Sequence, residues 1–334
     1  MTQIYTTDVA IIGAGPVGLF AVHQCGMLKM QCHVIDALDH IGGQCAALYP
    51  EKPIFDIPSQ PEILAGDLIA RLKQQAEAFS PVYHTGQQVI DMMDVGEAGW
   101  RLITSQGLEI TAKAVLIAAG GGAFGPNRPP LDDIQSFEGT GVFYAVTQKE
   151  NFRNKKVVIA GGGDSAVDWA LALSEVAERV SIVHRRDRFR CAPDCADKLK
   201  QLGVDGLVDI ITPYQLEGLV GENGQLSSVI VKTMKGESKS IEADILLPFF
   251  GLSMDPGPVA MWGLDMDGQY ISVRPESMQT SKPGVFAIGD IANYAGKLKL
   301  ILCGFSEAAM AAHKAFAYVH PGEALHFEFS TTKG

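Results

Sequence analysis

Apolar residues gather into short continuous runs, and two of these runs open the same local pattern. In "DVAIIGAGPVGLFAVHQCGMLKMQCHVIDA" the pattern predicts a buried strand at 8–12, a glycine turn, a helical stretch and a second strand ending at Asp36. In "KVVIAGGGDSAVDWALALSEVAERVSIVHRR" it predicts a strand at 156–160, a glycine turn, a helix and a strand ending at His184. Between them, "AVLIAAGGGAFGPNRPPLDD" (114–133) passes from an apolar strand through glycines into Pro-rich chain, as a crossover between domains would. A matching feature stands at "ADILLPFFGLSMDPGP" (243–258), followed by an apolar strand in "KPGVFAIGDIANYAG" and a helix over 304–319. The second unit therefore reads as inserted into the first.

The turns themselves carry chemistry. The first is Gly13-x-Gly15-x-x-Gly18: Gly13 for a tight turn, Gly15 for close approach of a pyrophosphate, Gly18 for helix-on-strand packing. The second is Gly161-x-Gly163-x-x-Ala166. A helix N-terminus directly after such a turn offers free N–H groups and a positive dipole end to phosphate. One glycine turn is weak support, because tight turns without a ligand are common. Two in strand–turn–helix context with matched spacing are much stronger. Gly13 and Asp36 stand 23 residues apart, and so do Gly161 and His184.

What differs is the charge at the strand end. Asp36 places a carboxylate where a ribose with free hydroxyls would lie, as in FAD or NAD. The second unit instead has "HRRDRFR", with His184, Arg185, Arg186 and Arg190 where the extra 2′-phosphate of NADP would sit. Two charge-assisted bonds from Arg185 and Arg190, at roughly 1.5–3 kcal/mol each, would favour NADPH over NADH by about a hundred- to ten-thousandfold. The alternative is a solvated arginine-rich loop. The chain as a whole is acidic, with 27 Lys and Arg against 38 Asp and Glu, a net −11. That balance argues against a general nucleic-acid binder.

A length of 334 residues allows two domains, and 47% hydrophobic content fits an ordinary globular protein. The most apolar stretch, 300–319, is broken by Glu307, His313 and Lys314, so no membrane span is expected. The N-terminus shows no signal peptide and six cysteines form no secreted disulfide framework, which makes the cytoplasm the expected compartment. No metal site is expected.

The two turns, the HRR cluster with Arg190, and "GVFAIGD" resemble the thioredoxin-reductase-like flavoproteins over nearly the whole chain. The resemblance implies an α/β fold of two Rossmann-like dinucleotide-binding domains, the NADPH domain inserted into a discontinuous FAD domain. The implied limits are 1–122 and 249–334 for the FAD domain, the latter ending in a flavin-covering tail, and 123–248 for the NADPH domain. Asp290 would hold the flavin ribityl chain. Thioredoxin reductases, however, carry a C-A-T-C pair where this chain has "YAVTQ", with Ala145 and Gln148 at the cysteine positions. Glutathione-reductase relatives place two cysteines five apart after the GG turn, and here Cys45 meets Pro50. Both standard dithiol routes are missing.

"GGQCAALYPEKPIFDIP", "KLKLILCGFSEAAMAAHKAF" and a Ser-Thr-Thr tail are similar to the ferredoxin–NADP⁺ reductases of the thioredoxin-reductase-like type. This resemblance implies that Tyr49 stacks on the isoalloxazine and that Phe329, at the family's usual histidine, covers the other face, often across a homodimer. It also implies that Gln44, Val89, Phe124 and Thr331 line the FAD site. The implied activity is electron transfer between NADPH and ferredoxin or flavodoxin through FAD, by hydride and then single electrons, without a separate acid or base. For a docking surface, Arg153, Lys155 and Lys156, or Lys297 and Lys299, are the candidates. Two other readings stand beside it. One is a disulfide reductase using Cys191 and Cys195 with thiol pKa values lowered by the arginine cluster, against the plainer and favoured reading of two bland cysteines, or a quinone reductase. The other is a non-catalytic FAD/NADPH sensor.

Overall fold

The first apolar run forms β1 (Ile4–Ile12), which leads through the glycine turn into α1 (Pro16–Met27) and β2 (Cys32–Ile35). This is a computed structural model of the chain; it describes residues 4–325, without the side chains of 123, 124 and 252–254. Pro16 opens α1, where its missing N–H is no loss, and Leu28 caps the end at φ −93°. A short α2 (Gly43–Ala47) and the amphipathic α3 (Ala65–Glu77) follow, the latter burying Leu68, Ile69, Leu72 and Ala76. Next come β3 (Val82–His84), β4 (Val89–Asp94), β5 (Trp100–Thr104) and the long β6 (Glu109–Ile117).

Chain folding divides into two compact units, one of 1–47, 55–123 and 254–334, the other of 48–54 and 124–253. In the first unit β3, β2, β1 and β6 lie side by side and parallel. β6 uses its length twice. Its start pairs antiparallel with β5, and its end pairs parallel with a late strand at Val285–Ala287. The core is formed by Ile12, Leu102, Ile110, Val115 and Ile117, all at most 8% exposed. Strands this apolar along both faces are the signature of a sheet covered on both sides.

The second unit repeats the plan with β7 (Lys156–Ala160), α4 (Asp164–Leu173), β8 (Arg179–Val183), α5 (Pro193–Val204) and β9 (Val208–Ile211). An antiparallel sheet of β10 (Gln215–Glu222), β11 (Gln225–Lys232) and β12 (Ser238–Glu242) precedes β13 (Ile245–Pro248). The order β9-β8-β7-β13 is parallel throughout. The chain then returns to the first unit for β14 (Val285–Ala287) and α6 (Ile301–Val319).

The segment 48–54 is held to the second unit by specific contacts. A Glu51 carboxylate oxygen accepts the Lys149 N–H at 2.5 Å, and Lys52 pairs with Asp168 at 2.9 Å. Tyr49 packs against the apolar cluster of that unit.

Candidate functional site

In the first unit the turn after β1 is built without side chains for a reason visible at each glycine. Gly13 has φ +110°, and a Cβ there would lie 2.3 Å from the Ala118 carbonyl oxygen. A Cβ on Gly18 would lie 1.9 Å from the Gly13 oxygen, so helix and turn could not close. At Gly15 the nearest atom to a Cβ is the Gly43 Cα, 4.0 Å away, which leaves open space over the start of α1. No side chain among the described residues caps that helix, so its first N–H groups face this space. The cradle fits a pyrophosphate.

Asp36 follows directly after β2. Its Oδ2 accepts the Ala14 N–H at 2.6 Å and its Oδ1 accepts the Leu38 N–H at 2.8 Å. Burial pushes its carboxyl above the usual range, and the two backbone donors pull against that shift. The carboxylate is thereby fixed beside the glycine turn. The Ala14 carbonyl in turn accepts the Gly42 N–H at 2.9 Å, which draws α2 and the half-buried Gln44 to the same corner. Asp290 lies half-buried one residue after Gly289, just past β14. Val89 is a buried core residue at the start of β4.

In the second unit, a Cβ on Gly163 would again meet nothing nearer than 4.0 Å, the Arg190 carbonyl oxygen. Gly161 is tight, with the Phe249 oxygen 2.7 Å from such a Cβ, and Ala166 is buried in α4 against the same turn. Arg190 folds back on the turn, its N–H donating to the Gly162 carbonyl at 2.6 Å. The guanidinium groups of Arg185, Arg186, Arg188 and Arg190 are exposed, and none has an acidic partner among the described residues. Four uncompensated cations at a strand end fit a phosphate dianion. Arg188 belongs to this group although spacing alone did not single it out.

His184 departs from the cationic role read from the sequence. Its ring stacks on Phe189 at 5.4 Å and 27° and covers Gly162, and its Nε2 is buried without a partner among the described residues. Burial, then the charges of Arg185 and Arg186, push its pKa below the usual imidazole range, so the ring is neutral at pH 7. The arginines carry the charge alone.

The alternatives at the cysteine pair and at the docking cations have these surroundings. Cys191 and Cys195 are free thiols, and burial followed by Asp164 or Asp168 pushes both above the ordinary thiol range. The arginine cluster does not activate them. Of the candidate docking cations, Arg153 pairs with Glu150 at 2.6 Å and Lys156 with Glu242 at 2.7 Å, both at the surface. The Lys297 side chain is only 3% exposed, turned inward onto Glu307 rather than outward to a partner. Lys155 and Lys299 stay exposed, Lys299 lying over the Tyr270 ring at 3.3 Å. Phe329 and Thr331, and the side chain of Phe124, lie outside the described residues.

A family model for the pyridine nucleotide-disulphide oxidoreductases matches residues 7–317. A ferredoxin–NADP reductase of Paramagnetospirillum magneticum is 61% identical over 99% of this chain and 98% of its own. Another from Rhodospirillum rubrum is 59% identical over 98% and 96%. The chain belongs to the pyridine nucleotide-disulphide oxidoreductase family, among the ferredoxin–NADP reductases. Thioredoxin reductase of Lactococcus lactis superposes with a TM-score of 0.81 at 25% identity, covering 94% of this chain and 99% of that one. The thioredoxin reductase of T. acidophilum gives 0.82 at 23%, a likeness of fold. Members of this fold that act on thioredoxin are thus structural neighbours of a chain with no cysteine at 145 or 148.

Proposed function

We propose that the chain is an FAD-dependent oxidoreductase that moves electrons between NADPH and ferredoxin. The observation that carries this reading is the pair of register-matched glycine turns with opposite charge at their strand ends. Asp36 stands at one, and an unpaired arginine cluster stands at the other. When bound, FAD supplies the chemistry by taking a hydride from NADPH and releasing electrons singly.

The chain's own residues bind and orient. The open face of Gly15 and the first N–H groups of α1 hold the FAD pyrophosphate, Asp36 its ribose and Asp290 its ribityl chain. Gly163 and the start of α4 hold the NADPH pyrophosphate, and Arg185 and Arg190 its 2′-phosphate. Gln44, Tyr49, Val89, Phe124, Phe329 and Thr331 keep the roles that the family resemblance implies, with Tyr49 and Phe329 as the stacking aromatics. A hydride transfer between two nucleotides asks no proton of the protein, which fits a site built from glycines, one carboxylate and arginines.

The reading extends to flavodoxin as an alternative acceptor, to a homodimer in which the C-terminal tail covers the flavin, and to a cytoplasmic location. No helix among the described residues is long and apolar enough to cross a membrane. The disulfide-reductase alternative is not favoured, because the remaining thiol pair is unactivated. The test is NADPH-driven reduction of cytochrome c by the purified protein, with and without ferredoxin. A large ferredoxin-dependent rate is expected. A rate with artificial acceptors that ferredoxin leaves unchanged would refute the choice of partner, and a flavin reduced once without turnover would mark a sensor.

A further inference from the structure

Glu307 sits in the middle of α6, a helix otherwise lined by Gly304, Ala308, Ala311 and Ala312 on its buried side, and is itself 2% exposed. A buried carboxylate demands donors, and this one has three. Its Oε2 accepts the Gly289 N–H at 2.7 Å, and its Oε1 accepts the Tyr294 hydroxyl at 2.7 Å and the Lys297 ammonium. The Lys297 ammonium also lies 5.6 Å from the Tyr294 ring centroid. Glu307 thus ties both ends of the 289–297 segment to one helix.

The packing around this network leaves no room for error. A Cβ on Gly304 would lie 2.4 Å from the Val17 Cγ2 and 3.5 Å from the Gly289 Cα. Gly289 itself holds φ +74°. Helix α6 and the Gly289 turn therefore meet almost backbone to backbone, and both pack on the Val17 side chain in the first turn of α1. Burying an ion pair is a poor way to gain stability, since well-packed apolar residues do as well or better. Its value here lies in direction, because only an acceptor at this point fixes the Gly289 N–H and with it the orientation of Asp290.

We infer that Glu307, with Lys297 and Tyr294 holding it in place, is a positioning residue for the FAD site, setting the Gly289–Asp290 turn against the start of α1. The inference rests on reading the first unit as the FAD site. It assigns Lys297 an internal task in place of partner docking.

The test compares two holoenzymes in which the Glu307–Lys297 pair is replaced by uncharged residues. Glu307→Gln with Lys297→Met keeps an acceptor for Gly289, whereas Glu307→Leu with Lys297→Met removes it. Flavin release is followed by the recovery of free-flavin fluorescence, alongside the visible circular dichroism of the bound flavin and the KM for NADPH. The Leu/Met protein is expected to release FAD about tenfold faster or more, with altered dichroism and an unchanged KM for NADPH. The Gln/Met protein is expected to stay within about twofold of the parent. Equal release from the Leu/Met protein and the parent overturns the inference, as does equally fast release from both variants. If the Leu/Met protein does not accumulate, Lys297→Met alone decides. It leaves Glu307 without its counter-ion and should also release FAD faster, and a parental rate overturns the inference. A parent protein that binds no FAD would instead refute the reading of the first unit.

Discussion

His33 on β2 and His84 on β3 meet across neighbouring parallel strands, with Nδ1 of one 3.0 Å from Nε2 of the other. Tyr5 lies 5.2 Å from each ring, and both imidazoles are under 10% exposed. One ring must donate and the other accept, an arrangement that the neutral pair makes and that protonation of both rings breaks. Burial pushes both below the usual imidazole pKa, and His33 is lowered further by the charge of His84. The unfolded chain titrates near 6.5 and the folded pair lower. Their contribution to stability is therefore present above about pH 6.5 and is lost as pH falls through the folded values. The thermal midpoint should drop between pH 7 and pH 5. His33→Phe with His84→Phe should flatten that slope, and an equal slope in the two proteins would remove the pair as its cause.

Gly15 and Gly18 make opposite predictions although they are three residues apart. Gly15→Ala meets nothing closer than 4.0 Å and needs no special φ, so the protein should fold with a stability within about 0.5 kcal/mol of the parent. Its methyl would stand where the pyrophosphate approaches, and FAD should be lost or held far more weakly. Gly18→Ala drives a methyl to 1.9 Å from a backbone oxygen and should cost several kcal/mol or prevent folding. Gly163→Ala should copy Gly15→Ala for NADPH alone. Urea unfolding paired with nucleotide titration separates the two effects in each variant.

The parts of the fold legible in the sequence are those in which a strand, a glycine and a helix are neighbours in the chain. The predicted strand at 156–160 is β7, and the predicted strand at 8–12 is the inner half of β1. The helix expected from 304 begins at Ile301. At the candidate site, the spacing from Gly13 to Asp36 could be read because one βαβ unit brings them together. The fate of the charges could not. Lys156 meets Glu242 across 86 residues, and nothing local in "RNKK" announces it. Lys297 looks like a surface cation until Glu307 is placed beneath it. A single glutamate on the apolar face of a helix is the available signal, and in the sequence it argues only against a membrane span. Tyr49 groups with the second unit because Glu51 and Lys52, its neighbours, find partners there.

Cys191 and Cys195 are the only close thiol pair in the second unit, so they bear on the disulfide-reductase alternative. Both are held protonated by burial and by Asp164 and Asp168. Iodoacetamide should label them slowly at pH 7, with the rate rising only above the ordinary thiol range. Cys191→Ser with Cys195→Ser should keep full NADPH-driven turnover with ferredoxin or an artificial acceptor. A loss of more than about tenfold in that rate, with flavin content unchanged, would bring the pair back into the electron path.

Arg185 and Arg190 offer the sharpest test of nucleotide choice. Both are exposed and neither is engaged by an acid among the described residues. A guanidinium bonded to a 2′-phosphate is worth roughly 1.5–3 kcal/mol, which corresponds to about ten- to a hundredfold in affinity. Arg185→Ala should weaken NADPH by that factor and leave NADH nearly unchanged. Arg190 makes one contact that Arg185 lacks, its backbone N–H to Gly162, and this survives side-chain removal. Arg190→Ala should therefore show the same selectivity without disturbing the glycine turn. The double variant should approach equal affinity for the two nucleotides, as measured by titration of the oxidised protein. A parallel loss for NADH and NADPH would mean that the arginines support the loop rather than read the phosphate.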